Sequence, residues 1–155
     1  MIKDQSCMLP SSPDEPIILV ADDDDLFRTP LVNNLSFFGY SAFEAQNGEQ
    51  LQYYAEEMIP KYKKFLIIVD NQMMDTPQTP EKQWSGFERI LTLCNKFPHF
   101  DLAAHVIFLS RWELQDLPDD LRTLGRQHGL LQPDRWWSLY TPFAILKAHI
   151  ERMLL

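Results

Sequence analysis

The sequence predicts an α/β fold, a doubly wound five-stranded parallel sheet with helices on both faces, on three observations. Unbroken apolar runs occur at Ile17-Ile18-Leu19-Val20-Ala21, Phe65-Leu66-Ile67-Ile68-Val69 and Val106-Ile107-Phe108-Leu109, the pattern of short strands buried on both faces. Each run closes on an acidic or small polar residue: Asp22 and Asp23, then Asp70, then Ser110. Stretches of helical periodicity separate the runs, and such alternation favours a parallel sheet covered on both sides. The element count is that of flavodoxin-like folds, in which chemistry sits beyond the carboxyl ends of the strands.

Taken in order, a polar, proline-punctuated stretch, Pro10-Ser11-Ser12-Pro13-Asp14-Glu15-Pro16, marks residues 1–15 as a flexible N-terminal tail and 16–155 as the folded domain. The first strand is Ile17 to Ala21 and the first helix Leu26 to Phe38. Tyr40 to Ala45 is a weaker strand at the edge side, closed by Gln46-Asn47-Gly48, where asparagine and glycine tolerate positive φ. A helix over Glu49 to Ile59 leads into the strand that ends at Asp70. Asp75 to Ser85, rich in Pro, Thr and Gln, is expected to be irregular, and Phe87 to Phe97 to be helical. After the strand ending at Ser110, Leu114 to Arg135 mixes helix with Gly129 and Pro133, and a fifth strand is expected over Trp136 to Tyr140. Trp136 and Trp137 alternate across that strand, so one ring fills core. The last helix, Pro142 to Leu155, has Thr141 as its expected N-cap and Pro142 at its first position. Its Leu146, Ile150, Met153 and Leu154 fall at i, i+4, i+7 and i+8, one face for the sheet.

At 155 residues and 45% hydrophobic content the chain fits one domain. A formal charge of −8 leaves no basic excess to grip nucleic acid or an anionic membrane. The two cysteines, Cys7 and Cys94, have neither disulfide-framework nor CxxC spacing, which fits a reducing cytoplasm. No apolar run approaches the roughly 20 residues of a membrane helix, and no apolar segment resembling a secretory signal is visible near Met1. His99, His105, His128 and His149 lack metal-ligand spacing.

If the first and third strands are neighbours, Asp22, Asp23 and Asp70 converge on one pocket. Three adjacent carboxylates repel one another, and a hard divalent cation with oxygen ligands is the natural compensation. Mg²⁺ is the expected ion, because it keeps waters and leaves positions for phosphoryl oxygens; the backbone carbonyl of Gln72 is placed to complete its shell. A carboxylate beside such a cation can attack a phosphoryl group, with Asp70 as nucleophile. The Ser110 hydroxyl either serves a phosphoryl oxygen or only ends its strand.

With these segments in hand, the chain resembles a response-regulator receiver domain of two-component signalling from about Pro16 to Leu155. Ile17 to Asp24 resembles the family's first strand and acidic pair, and Leu66 to Met74 its phosphoacceptor strand and loop. Phe108-Leu109-Ser110 resembles the strand ending in the switch Ser or Thr, and Tyr140-Thr141-Pro142-Phe143 the Lys-Pro-Phe turn. Four motifs in order at the right intervals carry the likeness. Departures stand beside them. Thr141 occupies the position of the family's lysine, so the usual cation of the acidic pocket is missing. Arg111 follows Ser110, where the family commonly has a small residue; it either supplies replacement charge or obstructs the phosphodonor. The switch aromatic's position falls near Ser138, and residues 75–85 form an insertion.

The resemblance implies a receiver that takes a phosphoryl group on Asp70 from a sensor histidine kinase or a phosphotransfer protein. It also implies Mg²⁺ held by Asp22, Asp23, Asp70 and Gln72, and a downstream effector protein as partner; no effector segment follows the last helix in this sequence. The first alternative is a phosphorylation-independent pseudo-receiver, for which Thr141 and Arg111 speak. The second is an aspartate-nucleophile phosphohydrolase that attacks with Asp22.

Overall fold

The three apolar runs form the middle of one parallel sheet. The computed structural model describes Ser12 and residues 14–155. In chain order it contains β1 (Ile17–Ala21), α1 (Asp25–Phe37), β2 (Ser41–Ala45), α2 (Gly48–Lys61), β3 (Phe65–Asp70), β4 (Met73–Met74) and β5 (Glu81–Lys82). It continues with α3 (Ser85–Lys96), β6 (Val106–Ser110), α4 (Asp119–Gln127), β7 (Trp136–Ser138) and α5 (Phe143–Met153). The sheet order is β2-β1-β3-β6-β7, all parallel, the doubly wound flavodoxin-like arrangement. Most of the expected tail, residues 1–15, lies outside the described residues. Its described end is tied to the domain, since the Ser41 hydroxyl donates to Glu15 at 2.9 Å and Lys63 faces Asp14 at 3.5 Å.

Period-two alternation divides the core between the two sheet faces. Ile17, Leu19, Ala21, Ile67, Val69, Val106 and Phe108 pack with side chains of α2 and α3, such as Leu51, Met58, Phe87 and Ile90. Ile18, Val20, Leu66, Ile68, Ile107 and Leu109 pack with Leu35 of α1 and with Leu146 and Ile150 of α5. Trp136 joins the first cluster and Trp137 the second, as their alternation requires.

The helix starts are set by side chains that satisfy free amides. Asp24 accepts from Leu26 N at 2.9 Å, and Asn47 accepts from Gln50 N at 2.9 Å. Asn47 is thus an extended N-cap rather than a positive-φ turn residue. Among the described residues only Gly39 (φ 91°) and Gly129 (φ 71°) take positive φ, after α1 and α4, where such a backbone ends a helix.

Three expectations are corrected at element ends. Residues 75–85 are not wholly irregular: Glu81–Lys82 pair antiparallel with Met73–Met74. The fifth strand stops at Ser138, because Thr141 N turns back to the Ser138 carbonyl at 3.0 Å. Thr141 does not cap α5. Its hydroxyl donates to the same carbonyl at 2.7 Å, and Pro142 occupies the cap position with no side-chain bond to the helix.

Candidate functional site

β1 and β3 are adjacent with Ala21 opposite Val69, so the next residues, Asp22 and Asp70, stand side by side at the carboxyl ends of these strands. Alternation continues the rows Ile18–Val20 and Leu66–Ile68 into these two residues, which puts both on the α1/α5 face. Each is only 5% exposed. The Oδ1 atom of Asp22 accepts from Asp24 N at 2.9 Å, that of Asp70 accepts from Gln72 N at 3.1 Å, and Asp23 accepts from Met74 N at 3.0 Å.

Burial and proximity push all three carboxyls upward from 3.8. Asp70 rises to about 8, first by burial and then by the charge of Asp22. Asp23 rises to about 7 by burial and by a shared hydrogen bond with Glu81. Asp22 rises to about 6 by burial, held back by the Asp24 amide and by the charges of Arg28 and Arg111. The pocket therefore holds more negative charge than its own cations neutralise, the condition that favours a bound cation. Among the described residues no three acidic, His or Cys side chains are arranged to hold a metal by themselves. The donors are oxygens, each partly engaged by an amide, and suit an ion that retains waters and accepts main-chain carbonyls.

Ser110, at the end of β6, is 4% exposed and accepts from Trp112 N at 3.0 Å. The Trp112 indole in turn donates to the Gln72 side chain at 3.0 Å, and the Gln72 amide donates to Glu81 at 3.3 Å. Arg111 is exposed and forms no ion pair among the described residues, yet its charge lowers both Asp22 and Asp70. Thr141, half-buried, brings no charge.

Four participants escape a sequence reading. Arg28 of α1 is 3% exposed and donates to the Asp22 carbonyl at 2.7 Å, while pairing with Asp25 and lying 3.5 Å from Glu44. Glu81 reaches the pocket from β5 and Trp112 from the loop after β6, and the sequence pattern gives the course of neither. Gly86 lets α3 approach the strand end, since a Cβ there would lie 2.0 Å from the Asp70 carbonyl oxygen. A glycine opening an apolar helix pattern was the single signal among the four.

No protein-family model and no curated protein matches this chain. Solved structures do. The N-terminal domain of a response regulator/sensory box/GGDEF three-domain protein from Carboxydothermus hydrogenoformans is 16% identical, with 89% of this chain and 93% of that one covered at a TM-score of 0.62. A response regulator receiver domain protein from Clostridium thermocellum is 18% identical over 90% of this chain and 94% of that one, also at 0.62. A CheY-like receiver domain protein from Methanospirillum hungatei JF-1 is 16% identical over 91% and 94%, at 0.60. With the same strand order and near-complete overlap, this chain has the fold of the response-regulator receiver domains.

Proposed function

We propose that the chain is a divergent receiver switch that accepts a phosphoryl group on Asp70 from a phosphohistidine of a sensor kinase or phosphotransfer protein, and relays its state to an effector protein. The observation that carries this reading is the pair of buried carboxylates, Asp22 and Asp70, side by side at the carboxyl ends of adjacent strands with too little positive charge around them. Two structural neighbours lend support: one is a BeF3-activated receiver domain, and another, from Burkholderia pseudomallei, carries a phosphorylated aspartic acid and a calcium ion.

The cation, Mg²⁺, would be held by Asp22, Asp23, Asp70 and the Gln72 carbonyl, and when bound it supplies charge neutralisation on the transferring oxygens. An Asp70 carboxylate oxygen forms the new bond to phosphorus as the phosphorus–nitrogen bond of the donor breaks, and the departing imidazole keeps that electron pair. Ser110 already accepts from Trp112 N, so its own hydrogen is free to be donated to a phosphoryl oxygen. Arg111 adds positive field from the rim.

Binding of beryllofluoride, a phosphoryl mimic, with Mg²⁺ present tests the reading, followed through tryptophan fluorescence because Trp112 touches Gln72. Saturable binding in the wild type that is lost in Asp70→Asn is the expected outcome. A folded wild type that shows none with metal in excess would leave the pseudo-receiver, which the uncharged Thr141 favours. Phosphorylation mapped to Asp22 instead would indicate the phosphohydrolase.

A further inference from the structure

Arg28 occupies a position of α1 that packing alone would give to carbon. Residues 28, 31 and 35 fall at i, i+3 and i+7, and Leu31 and Leu35 pack on the sheet face that leads to Asp22 and Asp70. An apolar side chain would fill the same place, and an arginine stem is long enough to carry its charge out to water. The guanidinium turns inward instead and is buried, although burying a charge is costly.

Ion pairing does not account for that burial. Of its two carboxylate partners Asp25 is exposed and Glu44 half-buried, and Nε faces Glu44 at 3.5 Å without a hydrogen bond. The buried bond is the one that Nη1 donates to the Asp22 carbonyl at 2.7 Å. The Asp22 amide donates to the Ala45 carbonyl at 3.0 Å, and Oδ1 of Asp22 accepts from Asp24 N at 2.9 Å. Asp22 is thus fixed at its amide, its carbonyl and its carboxylate, and of these three bonds only the one from Arg28 comes from a side chain. Glu44 directly precedes Ala45, so the same guanidinium clamps the end of β1 to the end of β2 and to the first turn of α1. By charge alone, a guanidinium beside three carboxylates opposes a cation there. By geometry it does the reverse, because ligands held in place before the ion arrives lose less freedom on binding it.

We propose that Arg28 is a positioning residue of the acidic pocket: it fixes the end of β1 so that Asp22 stands beside Asp70 for one divalent cation, without itself touching the ion. The inference rests on the cation site of the function proposed above and goes beyond it in naming the side chain that holds that site ready.

The test is calorimetric titration of the full chain with Mg²⁺, in the wild type, in Arg28→Met, in Arg28→Lys and in the Asp22→Asn, Asp70→Asn double variant. Methionine keeps an apolar stem and removes both charge and donors, whereas lysine keeps the charge and loses the planar fork. Mg²⁺ binding that the double variant abolishes is expected in the wild type, about tenfold weaker in Arg28→Met and intermediate in Arg28→Lys. A role in stability alone lowers the unfolding midpoint and leaves the affinity of the folded protein unchanged. A role through charge alone makes Arg28→Met bind Mg²⁺ about twofold more tightly. Affinity in Arg28→Met equal to or above that of the wild type therefore overturns the proposal while the cation site stands. If Arg28→Met does not fold, Arg28→Lys decides: weaker binding supports the proposal and wild-type affinity overturns it. A wild type that binds no Mg²⁺, or binds it as well as the double variant does, removes the cation site and this proposal together.

Discussion

Asp70 is held in a state its chemistry resists. Buried beside Asp22, its carboxyl is pushed up to about 8, so the metal-free protein near neutral pH either keeps it protonated or bears an uncompensated charge. Asp70→Asn removes that liability while preserving shape and the acceptor for Gln72 N. It is expected to stabilise the metal-free protein at pH 7, by on the order of 2 kcal/mol, measured by urea unfolding in chelator. A destabilised variant would mean that the carboxylate is neutralised within the fold. Ser110→Ala acts in the opposite direction: it strips the partner from Trp112 N and should cost about 1 kcal/mol in the same assay. An unchanged unfolding midpoint would show that water replaces the hydroxyl.

At the scale of elements, the site depends on how closely α3 meets the end of β3. Gly86→Ala would place a methyl on the Asp70 carbonyl, and backbone cannot yield as a flexible side chain does. The expected cost is about 2–3 kcal/mol, with weakened beryllofluoride binding, because the strand end that carries Asp70 must shift. Wild-type stability and binding in this variant would mean that α3 slides without moving the site. The same elements show what sequence conveys. β1, β3 and β6 were legible because strands buried on both faces leave no polar interruption, and Asp70 because it ends such a run. β4 and β5 were not, since two-residue strands carry no periodicity and pair through backbone alone. Arg28 was not, because nothing in a helical pattern distinguishes a solvated arginine from one folded back onto the Asp22 carbonyl. Thr141 read as a cap by its residue type, yet the turn at Ser138 claims its hydroxyl first.

At the scale of the whole molecule, the acidic pocket ties folding to pH and to cations. Asp22, Asp23 and Asp70 titrate near 6, 7 and 8 in the folded chain against 3.8 as ordinary carboxyls. Between about pH 4 and pH 8 the native state therefore holds more protons than the unfolded one, and stability falls as pH rises through that window. A divalent cation that binds only the folded pocket opposes the fall, and more so at higher pH, where its carboxylate ligands are deprotonated without its help. Thermal unfolding in chelator should thus show a midpoint that declines from about pH 5 to about pH 8, and added Mg²⁺ should raise the midpoint far more at the upper end. The chain's overall charge of −8 also destabilises it as pH rises, so the Asp22→Asn, Asp70→Asn double variant separates the two causes. It should lose the Mg²⁺ response and most of the steep part, keeping the shallow slope of general repulsion and the share of Asp23, whose rise owes most to burial and to Glu81. A double variant whose profile matches the wild type would place the pH dependence, and the cation, elsewhere in the molecule.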